Sequence, residues 1–590
     1  MKGYRGTLLH INLHTQVNDT QDVDPATAEQ FIGGKGIGAA ILKDENANVS
    51  PLSPNNLLLF GTGPLTGTPA PTSGRWVVVT KSPLTNLFLD SHVGGSFGAE
   101  IKKAGYDFLI INGKADKPVY LTITNDKVQF HDAKKLWGKG SFAVEEYLYQ
   151  KHKGKTVSIG PAGENQVLFA CINTGTHGHH GRAGHAGRGG AGAVMGSKNL
   201  KAIVIKGTQK ISYADSHAFS DAVKKARHTI RDNTFIPIRR KYGTPYWVHP
   251  VNEAGLLPTR NFTTGSFEEV SSITGESMHE SIVVKNTSCF NCPIACGKLS
   301  TVNYANHHFT YDGPEYETIA LLGSNCGNGD LNAIAYLNYL CDDYGLDTIS
   351  TGNILAFASE CSQKGLLNVD LDFSRPDKQA RLIKKISLRE GIGDLLAEGV
   401  YRVSKKIDAH QYALHCKGME FPGYDPRGAF GMALAYATSD RGACHQRAWT
   451  VNAELKGALA PRFSIEGRAS WVKEVQDERA AFFSLILCDF APLDVAQSIS
   501  LLNTATGFEY TPESYLTTGE RIWNLIRLYN IREGSPPDSL PPRLHIPLPD
   551  NDQKVITTEM FTTMLQDYYK ERQWDSQGHP THKKLAELGL

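Results

Sequence analysis

The chain has 590 residues, enough for three to four domains of ordinary size and a large core. Its 61 basic side chains nearly cancel its 60 acidic ones, which argues against a nucleic acid or membrane surface held by bulk charge. No run approaches the roughly 18 consecutive apolar residues of a membrane span. The start, "MKGYRGTLLHINLH", has neither a signal peptide's basic-then-apolar layout nor a twin arginine, so a cytoplasmic location is expected.

More than half of the 57 glycines fall within residues 1–208. The same stretch carries short β-like runs, "RWVVVTK", "DFLIING", "PVYLTI", "KVQFHD", "TVSIG" and "AIVIKG", bounded by Gly, Pro, Asn or Asp as strands and turns require. A β-rich domain over 1–208 is expected. The texture then changes. "DSHAFSDAVKKARHTIRDN" opens on an Asp or Ser cap and has helical periodicity. Helical patterns follow in "YETIALLGSN", "LNAIAYLNYLCDDYG", "ISTGNILAFASECSQKG", "DKQARLIKKISLREG" and "GDLLAEGVYRVSKKI". This divides the chain into 1–208, a helical domain over 209–415, and a second helical domain over 416–590. Long sequence repeats are absent. The Pro-rich "SPPDSLPPRLHIPLP" is expected to wrap the surface before a last helix.

Ten cysteines are too few for a disulfide framework, and reducing compartments keep thiols free. Three of them, Cys289, Cys292 and Cys296 in "TSCFNCPIACGKLS", stand at C-x2-C-x3-C spacing. A zinc site usually pairs two such knuckles, and no second knuckle exists. An iron–sulfur cubane takes one thiolate per iron, and the fourth can come from far along the chain. Spacing favours the cubane over a zinc knuckle or buried free thiols, but it does not choose the fourth ligand. Three glycine-dense patches, "FIGGKGIGAA", "DSHVGGSFGAE" and "HAGRGGAGAVMGSKNLKAI", let backbone N–H groups crowd an anion. For the first, a helix start or packing turn is the better reading. The third adds Arg188 and Lys198 and is the stronger anion candidate. None is a Walker loop or a convincing dinucleotide fingerprint.

Taken in order, "GGKGIGAAIL", "GTGPLTGTPAPTSGRWVVVTKSPLT", "SHVGGSFGAEIKKAGYD", "AGRGGAGAVMGSKNLKAIVIKG", "CFNCPIACGK", "GPEYET", "DDYGLDTIS", "KGMEFPGYDPRG" and "AYATSDRGACHQR" resemble the tungsten-pterin aldehyde:ferredoxin oxidoreductase family. The resemblance spans nearly the whole chain. It implies an α+β fold: an N-terminal β-rich cofactor-binding domain of two related sheets, then two mainly helical domains. It implies a tungsten (or molybdenum) bis-pterin, a [4Fe–4S] cluster, and possible magnesium bridging of the pterin phosphates. The implied reaction is oxidation of an aldehyde to a carboxylic acid, with electrons passing to ferredoxin or a small iron–sulfur subunit. A low-potential reductase of an aromatic thioester, or an electron-transfer or scaffold subunit without a working metal, are the rival readings. A homodimer or hetero-oligomer is expected.

Site residues follow from the same resemblance. The family's late D-x-x-G-L-C motif is matched by "FFSLILCDF", which makes Cys488 the fourth cluster ligand and places Leu487 beside it. Asp342, Gly345, Leu346, Asp347 and Thr348 match the first pterin motif, and carboxylates suit a pterin's amine and ring N–H donors. Arg75, His92, Gly94, Gly95, Arg188, Gly189 and Arg447 match cofactor-lining positions. Glu317 and His445 match the active-site acid and histidine. The chain departs from the family at Phe483 and Ile486, where Asp and Gly are expected, and at His92, where many members have Asn. Ligands for a subunit-bridging iron are not matched. The histidines of "HGHHGRAGH" (His177, His179, His180, His185) are read as a solvent loop rather than a metal site.

Overall fold

The computed structural model describes residues 1–45, 47–175, 183–457, 461–549 and 554–590. His177, His179 and His180 lie outside the described residues.

The first 208 residues form two six-stranded sheets. Strands β1 (Thr7–Asn12), β2 (Val17–Asp22), β3 (Leu58–Gly61), β4 (Trp76–Lys81), β5 (Phe88–Val93) and β6 (Phe108–Asn112) line up as β2-β1-β6-β3-β4-β5. Strands β7 (Val119–Thr124), β8 (Lys127–Asp132), β9 (Lys155–Ser158), β10 (Ile172–Thr174), β11 (Gly184–Ala186) and β12 (Leu200–Lys206) line up as β11-β10-β9-β12-β7-β8. Read from its hairpin, the second sheet repeats the first. Each starts with a hairpin whose first strand pairs parallel to the sixth, and the third, fourth and fifth strands follow antiparallel. Each also places a helix between strands five and six, Phe97–Ala104 in one and Ala191–Ser197 in the other. The duplication lives in topology; the residues have diverged too far for a sequence repeat to show.

Burial explains which strands the sequence reveals. The β4 run "WVVVTK" is buried throughout, as a central strand covered on both faces must be. By contrast β2, "VNDTQD", is exposed throughout, and its polar residues protect an open sheet edge. Each of the six predicted runs forms a strand. Six others were missed because they are short or polar, β5 among them.

The helical patterns after residue 208 also hold. Asp215 caps the helix Ser216–Asp232 by accepting from His217 N and Ala218 N at 3.0 and 2.8 Å. "YETIALLGSN" is one helical turn continued by a π segment, Ile319–Gly323. One element was not expected: a three-stranded sheet (Val283–Thr287, Gly297–Tyr304, His307–Asp312) whose first connection is the cysteine loop. The Pro-rich tail is better anchored than a surface wrap. Leu540, Leu544 and Leu548 are buried, Arg543 pairs with Glu360 at 2.6 Å, and two helices follow it, Thr558–Glu571 and His582–Leu588. A single apolar cluster runs from the strands of both sheets into the later helices. No helix among the described residues is long and apolar enough to cross a membrane.

Candidate active site

A cavity of about 250 Å³ is lined from all three regions of the chain. Arg75, His92 and Gly94 come from the first sheet and its loops. Cys289, Cys292, Cys296, Glu317, Asp342, Leu346, Asp347 and Thr348 come from the middle region, and Cys488 from the last. The four cysteines, scattered over about 200 positions, therefore face one space. All ten cysteines are free thiols.

Local geometry seats the thiols. Cys292 N donates to Cys289 O at 3.2 Å, the tight turn that C-x2-C requires. Gly94 stands where a β-carbon would come within 2.8 Å of Cys289 Sγ, so only glycine admits the sulfur. Gly95 O accepts from Phe290 N at 2.9 Å and fixes the same loop. Arg75 Nη2 donates to Cys488 Sγ at 3.1 Å, and Thr72 Oγ1 accepts from Cys488 N at 3.2 Å. Burial pulls the Arg75 guanidinium down, but Cys488, Asp489 and Cys289 outweigh it and its pKa rises. Burial, with Cys488 and Cys289 beside it, pushes the Cys292 thiol up to about 11. Among the described residues, no three His, Cys, Asp or Glu groups are arranged to hold a single metal ion.

The first pterin motif is a helix end. The helix Leu331–Tyr344 stops at Gly345, whose φ of 77° and ψ of 45° suit glycine. Asp347 then caps the next helix, Thr348–Gln363, accepting from Ser350 N at 2.8 Å. Asp342 Oδ2 accepts from Asn338 at 2.7 Å, and its Oδ1 lies 3.6 Å from His185 Nε2. Burial and the neighbouring Asp312 push the Asp342 carboxyl well above its usual range despite the Asn338 bond.

The second motif has the same geometry with different residues. The helix Arg468–Leu485 ends at Ile486, held at φ 61° and ψ 47°. A β-branched residue in that left-handed region is strained, by about 1–2 kcal/mol. Phe483 stands three residues before this cap, as Asp342 does before Gly345. It meets the His92 ring at 4.7 Å, with Arg447 and Arg479 over its face at 5.6 and 5.8 Å.

The glycines of "FIGGKGIGAA" pack against this helix end. A β-carbon on Gly34 would fall 2.3 Å from Ile486 Cδ1, and one on Gly33 2.9 Å from Ser484 O. The packing reading of that patch holds. The third patch also packs closely, Gly192 on Cys171 O and Gly196 on Gly163 O. Lys198 is buried and donates to Pro54 O at 2.7 Å, so it serves the fold. Arg188 differs: its Nη2 donates to Glu420 O, while its Nε and Nη1 are buried without partners.

Glu317 lines this cavity, and its Oε1 lies 3.5 Å from Nδ1 of His445, which does not line it. Gly423 N donates to Glu317 Oε2 at 2.7 Å. Burial raises the Glu317 carboxyl to about 8, against that hydrogen bond and the pull of Arg188. Burial, then Arg188 and Arg441, lowers His445 well below 6.5. At neutral pH the pair is therefore a carboxylic acid beside an uncharged imidazole.

Gly95, Arg188, Gly189, Gly345, His445, Arg447 and Leu487 do not line the cavity itself. Leu487 is core, Gly189 packs on Leu89, and Arg447 belongs to a buried network that sequence reasoning missed. There Asp440 accepts from Arg447 Nε at 2.9 Å, Asp90 accepts from His92 Nε2 at 3.0 Å, and Lys35 bridges Asp90 (3.3 Å) and Asp440. Arg441 Nη1 donates to Asp90 O at 2.6 Å and its Nη2 to Cys444 Sγ at 3.0 Å. Burial alone would raise the Cys444 thiol, but Arg441, Arg447 and Arg188 bring it below its usual value. The available signal was charge inside glycine-rich or apolar runs, Lys35 in "GGKGIG" and Asp90 in "LFLDSHV". Nothing local reveals partners 405 residues apart.

Comparison with known proteins agrees with this geometry. Residues 8–207 match the N-terminal domain of aldehyde ferredoxin oxidoreductase, and residues 221–590 match its domains 2 and 3. The chain belongs to the aldehyde ferredoxin oxidoreductase family, a family of tungsten-pterin oxidoreductases. The tungsten-containing aldehyde ferredoxin oxidoreductase of Pyrococcus horikoshii is 40% identical over 100% of this chain and 99% of that protein. The WOR-like subunit of an aliphatic sulfonate oxidoreductase from Pyrococcus furiosus is 33% identical over 100% and 97%. Among solved structures, the active-site complex of benzoyl coenzyme A reductase with 1,5-dienoyl-CoA superimposes with a TM-score of 0.85 at 27% identity, covering 100% of this chain and 97% of that one.

The residues present fit such a cofactor. Buried polar atoms without partners gather at and beside the cavity: His92 Nδ1, Arg188 Nε and Nη1, and Arg441 Nε. Unpaired buried polar groups cost about 1–3 kcal/mol each, and a bound polar group would relieve that cost.

Proposed function

We propose that this chain oxidises an aldehyde to a carboxylic acid on a tungsten or molybdenum bis-pterin. A [4Fe–4S] cluster on Cys289, Cys292, Cys296 and Cys488 would lead electrons to ferredoxin or a small iron–sulfur subunit. The carrying observation is that one cavity joins four thiols, the first pterin motif and Glu317, which has His445 beside it at 3.5 Å. The reaction takes aldehyde and water to acid, two protons and two electrons. When bound, the cofactor supplies the two-electron acceptor and the cluster divides the electrons into single steps.

The protein's own groups do the rest. Asp342 and Asp347 would accept hydrogen bonds from the N–H groups of one pterin, which would return the buried Asp342 to its charged form. The unpartnered nitrogens of Arg188 suit a phosphate. Arg75 would hold Cys488 and tune its sulfur by a charge-assisted hydrogen bond. Glu317, protonated at neutral pH, would donate to the carbonyl oxygen of the aldehyde. The Gln446 amide, donating to His445 Nε2 at 2.8 Å, leaves the neutral ring's proton on Nδ1, facing Glu317 and orienting it.

One observation favours a second reading. The structural likeness to a benzoyl coenzyme A reductase complex supports a low-potential reductase of an aromatic thioester on the same cofactor. Anaerobically purified protein tests both. About one group 6 metal and two pterins per chain, with aldehyde-dependent reduction of a viologen dye, is the expected result. Thioester reduction without aldehyde oxidation would favour the second reading. Absence of any group 6 metal from protein made with tungstate and molybdate would refute both and leave an electron-transfer or scaffold role.

A further inference from the structure

A second cavity, of about 280 Å³, adjoins the first through shared residues Arg75, Glu315, Glu317 and Phe490. Its walls are aromatic. Trp247 and Trp449 meet edge to face at 5.0 Å, Tyr424 lies 6.0 Å from Trp449, and Tyr316 stacks on Tyr424 at 4.8 Å. Such a slot accepts a flat ring better than a branched chain. Glu317 and His445 close it on one side.

Three guanidinium groups border this space, and two are already engaged. Arg75 serves Cys488, and Arg479 pairs with Asp489 at 3.1 Å and donates to Gln446 O at 2.8 Å. The third, Arg239, is only 7% exposed, on the short helix Ile236–Tyr242. It sits over the Phe490 ring, 4.0 Å from the ring centre. Among the described residues its side chain makes no hydrogen bond or ion pair, although it feels the field of Asp489. Glu315 is bonded to Thr244 instead. A buried guanidinium left with all its donors free, at the wall of an aromatic slot, is a fixed planar socket for a carboxylate.

We propose that Arg239 anchors the substrate, and that the preferred substrate is an aromatic aldehyde bearing a carboxylate across the ring from the carbonyl. This rests on the aldehyde-oxidising reading for its chemistry, though the anchor itself can be tested by binding alone. The ring lies against the aromatic wall that the tryptophans and Tyr424 form, the carboxylate meets Arg239, and the carbonyl oxygen meets Glu317. With 4-formylbenzoate, one water is consumed; benzene-1,4-dicarboxylate, three protons and two electrons are released, the electrons going to viologen in the assay.

The test compares 4-formylbenzoate with 4-formylbenzamide, its neutral isostere, using the holoenzyme. The native enzyme should favour the carboxylate by about 10–100-fold in kcat/KM, mostly through KM, as a charge-assisted hydrogen bond implies. Arg239→Gln should bring the ratio near one and leave metal content and the benzamide rate within about threefold. Arg239→Lys should restore part of the preference, because charge returns without the planar fork. A native ratio near one, or a ratio unchanged by Arg239→Gln, overturns the proposal. Calorimetry with the unreactive 4-acetylbenzoate and 4-acetylbenzamide separates the anchor from the reaction. If neither aldehyde is oxidised, the aldehyde reading fails. The anchor still stands if 4-acetylbenzoate binds about 10–100-fold more weakly to Arg239→Gln, and falls if both proteins bind it equally.

Discussion

Replacing Glu317 by Gln keeps the shape and hydrogen bonding of the side chain but removes its exchangeable acid proton. The structure gives the size of what is lost. Raising this largely buried carboxyl from 4.5 to about 8 corresponds to at most about 5 kcal/mol of penalty against its ionised form, at about 1.4 kcal/mol per unit. At pH 7 about nine-tenths of the protein then holds Glu317 as the acid that the reaction uses. Glu317→Gln should lower turnover per metal by roughly 10²–10⁴-fold, the usual range for a general acid–base group, with metal and cluster content unchanged. It should also remove the fall in activity that accompanies ionisation near pH 8. Stability provides a second readout with a definite sign. Because the folded pKa is raised, the contribution is fully present below about pH 4.5 and lost as pH rises to about 8. The native protein should therefore lose stability relative to Glu317→Gln across that window, by at most about 5 kcal/mol, measured by thermal melts of metal-matched samples. Loss of metal in Glu317→Gln would make the residue structural. Full activity per metal, or parallel melts from pH 5 to 8, would refute the assigned protonation state.

Three further outcomes follow from the site. Cys488→Ser and Cys292→Ser should both alter the same low-temperature EPR signal of the reduced protein; an unchanged signal in Cys488→Ser would remove it from the ligand set. Asp347→Asn preserves the helix cap, since Asn caps as well as Asp, so a fall in metal content at unchanged melting temperature would isolate the role of the carboxylate. Gly34→Ala should destabilise strongly, because its β-carbon would stand 2.3 Å from Ile486 Cδ1, and Ile486→Gly in the same chain should recover part of the loss. Additive losses in the double variant would show that the two residues are not in contact.

What the sequence showed depended on whether the signal was local. The strand "WVVVTK" and the helix after Asp215 carry their periodicity and caps within a few residues, and both were legible. The C-x2-C-x3-C loop stood out as a candidate ligand set for the same reason. The proposed fourth member was not, since Cys488 reaches the same cavity only through folding; the family resemblance suggested it. The Lys35–Asp90–Asp440–Arg447 network was hidden because buried ion pairs have no spacing rule. The role of Lys198 was misjudged because a lysine among glycines looks the same whether it meets a phosphate or a backbone carbonyl. Arg239 gave no signal at all, for its meaning lies in which partners it lacks.

The duplicated sheets give the departures at Phe483 and Ile486 a structural frame. In one half, His185 on β11 faces Asp342, three residues before a left-handed helix cap at Gly345. In the other, His92 on the equivalent strand β5 faces Phe483, three residues before a left-handed cap at Ile486. The backbone plan is retained; the carboxylate and the glycine are not. In place of the carboxylate this half sets the Phe483 ring under Arg447 and Arg479, themselves paired with Asp440 and Asp489, so it offers an aromatic face where its twin offers an acceptor. Retaining the left-handed cap with isoleucine costs about 1–2 kcal/mol. The side chain offsets this by filling the space above Gly34, burying about 2–3 kcal/mol of apolar surface. A residue that is strained in its backbone and fully packed in its side chain is one whose position the fold requires. The second half thus keeps the backbone shape of its twin while replacing a hydrogen-bond acceptor with an aromatic face.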